Sequence, residues 1–496
     1  MERLLRWIAT VVSLLVALQT GVRAHAALPT IGGRIEGSGI VRFDQSSPRQ
    51  RPLARIDLFA EQKVTSELRW KLATTGRWGG TIENASGAGL IDFGHSFQNI
   101  DPSLQLDEAW LEWVDDDFDV RAGNQRFTWG KLDGPKPNDL LNPLRYYDPL
   151  VDREKDQKIA VPALSGSYYF PSSWRDRLPD DARVTLVWEP IAVPWLFPEA
   201  DERWFPPAAE TGPPLQIGSL TVNDREICPC VVDIDQEIRN SSAPARRFDN
   251  GNVALRVAGR SGGVDWSAMF FDGYDPAANF SVPVRLDLSN AGAIPGVLSA
   301  TALTQLRPAY RRFQSIGADA SSAFGGFTTR FEAAWRFRRP YPREVSSLTG
   351  EIVGDEQRVA ALLDGKTVTL NAFEPRDAAE WGIGADYLID GWLPLLELYQ
   401  IILLHNDTPL LIRNVDTRIT ASLRKTWLEA ESLETKIVGL WGIESGYEMV
   451  RAEATYAITD AIAAQLGVLG VWGDARSLIG EFNRNSELFG RLSYSF

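Results

Sequence analysis

The stretch Phe327-Thr328-Thr329-Arg330-Phe331-Glu332-Ala333-Ala334-Trp335-Arg336-Phe337-Arg338 alternates along its whole length. One set of positions is Phe327, Thr329, Phe331, Ala333, Trp335 and Phe337. The other is Thr328, Arg330, Glu332, Ala334, Arg336 and Arg338. A strand sends successive side chains to opposite faces, so this segment has one aromatic face and one charged face. Leu68, Trp70 and Leu72 against Glu67, Arg69 and Lys71 repeat the split. So do Val450, Ala452, Ala454 and Tyr456 against Met449, Arg451, Glu453 and Thr455.

A soluble sandwich also alternates, burying its apolar face and wetting the other. Three features weigh against it. The runs reach about ten residues or more, against about five or six for a soluble strand. Aromatics gather near run ends, as Trp335, Phe337 and Tyr341 do, which suits an interfacial girdle. The polar faces carry both signs of charge and many arginines, which suits an enclosed wet interior. The chain then ends Leu488-Phe489-Gly490-Arg491-Leu492-Ser493-Tyr494-Ser495-Phe496. Its terminal aromatic, with Leu492 and Tyr494 at alternate positions before Phe496, resembles the signal read by the outer-membrane barrel-assembly machinery. That likeness implies the machinery and outer-membrane lipid as partners.

Residues 1–26 are expected to be a cleavable signal peptide. Arg3 and Arg6 precede an apolar run at 8–18, and Ala24-His25-Ala26 supplies the small-x-small cleavage pattern. That run is too short for a helical span, which needs about 20 residues. The most apolar later stretch, 392–404, contains Pro394 and Glu397 and also falls short. A membrane role therefore requires a closed barrel. The expected fold is all-β, a transmembrane antiparallel barrel of residues 27–496, exported to the Gram-negative outer membrane. The length suits about 16 strands, within roughly 14 to 18, at about 9 to 11 residues each plus connections.

The net charge of −14 argues against nucleic acid as a partner. Cys228-Pro229-Cys230 is too sparse for a metal site, and no cofactor is expected. As an oxidised pair the two cysteines would close a strained small ring. Beyond the leader the histidines are His95 and His405, too few to build an enzyme on. Short connections at 115–117, 261–263 and 459–460 belong on the periplasmic rim, and long ones at 76–103, 130–165 and 190–247 outside. Nine prolines between 190 and 247 predict irregular structure rather than barrel wall.

One segment carries a family likeness. Arg121-Ala122-Gly123-Asn124-Gln125-Arg126-Phe127-Thr128-Trp129-Gly130, followed by Asp139-Leu140-Leu141-Asn142-Pro143, resembles an uncharacterised proteobacterial outer-membrane barrel family. The shared pattern is G-x-Q-x-x-x-W-G and then D-x-x-N-P. More distantly the strand resembles alginate-export and OprD-type porins. The likeness covers about 50 to 70 residues and implies a porin-like fold, with no substrate to carry over. Read physically, Gly123 and Gly130 admit a bulge or close approach, and Pro143 sets a bend. A short helix at 138–144 is expected.

The functional expectation is a porin-like channel for small solutes, with 131–165 folded inward as a constriction. Its charges Lys131, Asp133, Lys136, Asp139, Arg145, Asp148 and Arg153, with Asn142 at its bend, would face wall residues Arg330, Glu332, Arg336, Arg338, Arg451 and Glu453. Those wall charges could equally be cross-strand pairs that stiffen a polar interior. An external solvated loop, an exporter or receptor for a lipid or polymer, and a sheath for a periplasmic electron carrier remain alternatives. A homo-oligomer is compatible with the sequence, and nothing in it demands one.

Overall fold

The computed structural model describes residues 28–44, 53–78, 103–145, 150, 154–171, 174, 178–195, 203–204, 215–217, 220–222, 225–227, 230–238, 250–277, 279–287, 298–405, 409–474, 477 and 479–496. The leader with Ala24 and Ala26, His95, Cys228, Asp148 and Arg153 lie outside them. Eighteen strands join in one sheet, each antiparallel to its neighbours. The first strand, Thr30–Arg42, pairs with the last, Glu487–Ser495, from Arg34↔Ser495 to Arg42↔Glu487. The sheet is therefore a closed barrel without a free edge. Eighteen lies at the top of the expected range. Two-residue connections such as Gly262-Gly263 and Gly325-Gly326 leave chain for the extra pair of strands. All four of these glycines have φ between +55° and +88°, which a tight hairpin turn requires.

The alternation sorts as hydrocarbon outside and charge inside. Phe331 is 42% exposed while its neighbour Glu332 is 0% exposed. Leu111, Leu186, Ile316, Ile383, Leu396, Ile437, Leu466 and Leu492 are exposed on strands all round the ring. Among the described residues no helix is long and apolar enough to cross a membrane. A continuous outward apolar belt on a sheet with no free edge is the form strands take to cross one.

The two rims differ. One carries the start of the first strand, the end of the last and the connections 64–67, 115–117, 262–263, 325–326, 388–391 and 458–461; the other carries the long connections. Aromatic contacts concentrate at the short-connection rim: Phe327–Tyr387 at 4.3 Å, Trp113–Phe118 at 4.7 Å and Trp392–Trp427 at 5.5 Å between ring centroids. Lys425 sits 4.4 Å from the centroid of both tryptophans of that last pair.

One bulge overturns two expectations. On the strand Phe327–Pro342 the register with Phe373–Tyr387 slips between Arg336 and Arg339, and Arg338 has φ +51°. A one-residue slip reverses every face beyond it. Arg339, not Arg338, therefore follows Arg336 on the inner face, where it meets Asp275 at 2.8 Å and Glu380 at 3.2 Å. Tyr341 is likewise buried among Ala378, Tyr399 and Ile401 and is not part of a girdle. The expected irregularity of 190–247 also needs correction. Between its prolines it forms Leu215–Ile217, Leu220–Val222, Arg225–Ile227 and Cys230–Ile238. Cys230–Ile238 runs parallel to Leu298–Ala309 in a five-stranded sheet outside the barrel. Helices Val345–Val353 and Glu356–Leu363 pack on that sheet through Leu348 and Leu362, against Val282, Val284 and Leu370.

Candidate functional site: a loop anchored across the barrel interior

The connection after the fifth barrel strand, Phe118–Gln125, is rooted by two amides. Gln125 Nε2 donates to Ala163 O at 2.8 Å, and its Oε1 accepts from Ser165 Oγ at 2.7 Å. Asn142 Nδ2 donates to Ile159 O at 2.8 Å and Gln125 O at 3.1 Å, while its Oδ1 accepts from Phe127 N at 2.5 Å. Asp139 pairs with Lys158 across the same base. The G-x-Q and D-x-x-N-P elements are thus the two sides of one clasp. No helix forms at 138–144; Asn142 spends its side chain on backbone groups of other segments, and Pro143 cannot donate. A helical turn occurs instead at Glu154–Gln157.

From the clasp the chain travels over the interior wall. Trp129 is buried with Met269, Phe271 and Phe313, and Arg256 lies 5.7 Å from its ring centroid. Lys131 and Leu132 N–H both donate to Glu332 Oε1 (2.7 Å from Leu132), and Asn138 N–H donates to Oε2 at 3.3 Å. Asp133 and Gly134 N–H donate to the two carboxylate oxygens of Glu397 at 2.8 Å and 2.7 Å. Successive N–H groups aimed at a carboxylate form an anion nest, here filled by the protein's own wall. Glu332 and Glu397 belong to the eleventh and thirteenth of the eighteen strands, so the loop reaches nearly to the opposite side of the ring. Both glutamates lie five residues into strands that begin at the short-connection rim, while the loop starts from the other rim. Gly130 has φ +95°, and a Cβ there would lie 2.6 Å from Glu332 Oε1. The return leg is held by Arg336 donating to Pro137 O and by Asn138 Nδ2 donating to Ala318 O at 2.9 Å.

The remaining expected residues fall near this path. Arg330 pairs with Asp386 and stands 3.6 Å from Asp133. Arg145 donates to Gln105, and Arg451 donates to Leu150 O at 2.8 Å while lying 3.5 Å from Glu453. Lys131 and Lys136 are half-buried. Charges in this interior are mostly paired: Glu380 lies 2.7 Å from Arg336, and Asp156 lies 3.0 Å from Arg55 and 3.5 Å from Arg34.

The sequence did not single out Glu397, Glu380 or the inserted pair Arg203-Trp204. Trp204 is buried against Met449, Leu469, Val471 and Phe489, and Arg203 lies 3.0 Å from Glu487. For Glu397 a signal existed: it is the lone charge within the most apolar stretch of the chain. For Arg203-Trp204 none did, since a loop sequence carries no direction.

No family model and no curated protein matches the chain. Solved structures of similar fold include Acinetobacter baumannii OccAB1, at 7% identity over 96% of this chain and 98% of that one, TM-score 0.48. Pseudomonas aeruginosa OccK8 (OprE) is similar at 6% identity over 94% and 97%, TM-score 0.46. A mutant Rh. blastica porin is similar at 10% identity over 95% and 100%, TM-score 0.36. The likeness runs the length of the chain and is one of fold alone.

Proposed function

We propose that the protein is a porin-like channel of the Gram-negative outer membrane, passing small solutes through a charged lumen that the loop at 131–138 narrows. The observation that carries this is the anchoring of five backbone N–H groups of one loop on Glu332 and Glu397, far round the ring from its root. A solvated external loop would have no use for such an anchor. Paired charges along the remaining path suit selection by radius and local field. The long-connection rim then faces outward, and the start of the first strand and the end of the last lie on the periplasmic side.

A partly plugged barrel, serving as a receptor or exporter, is favoured by one observation: Trp204 and Arg203 occupy interior space beside Leu469 and Glu487. Planar-bilayer recording separates the two. We expect stable single channels from the wild type. The Glu332→Ala/Glu397→Ala variant, folded by heat-modifiable migration, should show higher and noisier conductance. Unchanged conductance would defeat the constriction, and a silent wild type would favour the plugged barrel.

A further inference from the structure

At the long-connection rim the bulge leaves Arg338 exposed. It lines a cleft of about 640 Å³ together with Arg311, Arg312, Arg343 and Arg358, between the barrel wall and the helix-and-sheet cap. The lining also holds two acids, Glu351 and Glu374, and both are engaged. Glu351 meets Arg343 at 2.7 Å and also pairs with Arg358; Glu374 meets Arg376 at 3.1 Å. Arg312 is bound to Asp272 at 2.7 Å.

Arg311 and Arg338 are different. Among the described residues neither guanidinium is paired with a carboxylate. The Arg311 guanidinium lies 5.2 Å from the Phe373 ring centroid, and Arg338 contributes its backbone N–H to Asp377 at 2.8 Å. Arg343 Nε is buried with no hydrogen-bond partner among the described residues. In a chain of net charge −14, carboxylates to neutralise these groups are plentiful. A cleft that gathers five guanidiniums and leaves two without acids is suited to an external oxyanion, whose oxygens match the guanidinium fork.

The position in the wall narrows the ligand. Trp335 and Phe337, exposed on the outward face, come immediately before Arg338, so the cleft sits where the apolar belt of this strand ends. Headgroups lie at that level beside a membrane-spanning wall. We propose that the cleft is a phosphate-binding site that takes the phosphate group of a lipid headgroup at the membrane interface. This rests on the barrel's being in a membrane, and its test is kept apart from that of the channel.

The test compares wild type, Arg311→Ala/Arg338→Ala, and Arg260→Ala at the opposite rim, each purified in detergent and shown to be folded by heat-modifiable migration. Retention of phosphatidic acid and of phosphate-free diacylglycerol is measured by native mass spectrometry, with and without millimolar inorganic phosphate. We expect selective retention of phosphatidic acid by wild type and Arg260→Ala. The double variant should weaken it about tenfold or more, the scale of one lost charge-assisted contact. Inorganic phosphate that displaces the lipid and by itself raises the wild-type melting temperature, with no preference between the lipids, would keep the phosphate site but overturn the lipid as its ligand. Equal retention by wild type and double variant would overturn the site. Bilayer conductance of the double variant is expected to match wild type, so loss of channel activity in wild type would count against the channel alone.

Discussion

Glu380 stands between two guanidiniums, 2.7 Å from Arg336 and 3.2 Å from Arg339, and accepts a hydrogen bond from Tyr399 Oη at 3.2 Å. All three charges lie in the interior, and removing the central one leaves two arginines short of a counter-charge. Glu380→Ala is expected to destabilise the barrel by about 3–5 kcal/mol, the cost of breaking a buried pair from one side. A lower temperature for the shift in heat-modifiable migration would report it. Gly130 is held by conformation and space together. Gly130→Ala places an L residue at φ +95° and a methyl against the Glu332 carboxylate. Loop docking should weaken by about 1–3 kcal/mol, the range for a forced backbone conformation. The variant's channel noise should rise toward that of the Glu332→Ala/Glu397→Ala protein, and a quiet channel of wild-type size would contradict the anchoring.

At the scale of elements, one register slip does more than any single contact. The bulge at 337–338 transfers the inner face from Arg338 to Arg339 and turns Tyr341 inward. The segment Gly480–Asn485, next to the last strand, carries a pH-sensitive group. Burial pushes the Glu481 carboxyl up to about 7. The folded segment therefore holds its proton more tightly than the unfolded chain does. This favours folding below the ordinary carboxylate value of about 4.5, and the advantage fades as pH rises through about 7. Protease nicking at 480–485 should increase from pH 5 to pH 8 in wild type and stay flat in Glu481→Gln. Equal pH dependence in the two proteins would show that another group controls the segment.

For the whole molecule, closure matters most. Phe496 N–H donates to Gly33 O at 3.0 Å, and Gly33 N–H donates to Phe496 O at 2.9 Å, so the last residue completes the seam with the first strand. Tyr494 and Phe496 stack at 5.9 Å on the outer face. Deleting Phe496 removes two seam hydrogen bonds and the terminal aromatic. The deletion should sharply reduce the heat-modifiable form recovered from membranes; wild-type recovery would show that closure and assembly do not depend on this residue. The interior then follows from the ring. Once eighteen strands close, an excursion from the fifth strand can meet the eleventh and thirteenth, which no local contact could arrange.

Alternation determined that each strand has a greasy face and a charged one, because side-chain direction in a strand depends only on parity along the chain, and the length of the runs with the aromatic-ended last strand set the barrel apart from a sandwich. Gly123, Gln125, Trp129, Gly130 and Asn142 also marked the site of the loop. That Glu397 joins Glu332 in receiving that loop was decided by the tertiary structure. Glu332 and Glu397 are 65 positions apart in sequence and share an anchoring role only because the sheet curves them toward one another. The bulge that exchanges Arg338 for Arg339 was equally hidden. Parity holds only while register holds, and register is a property of two strands together.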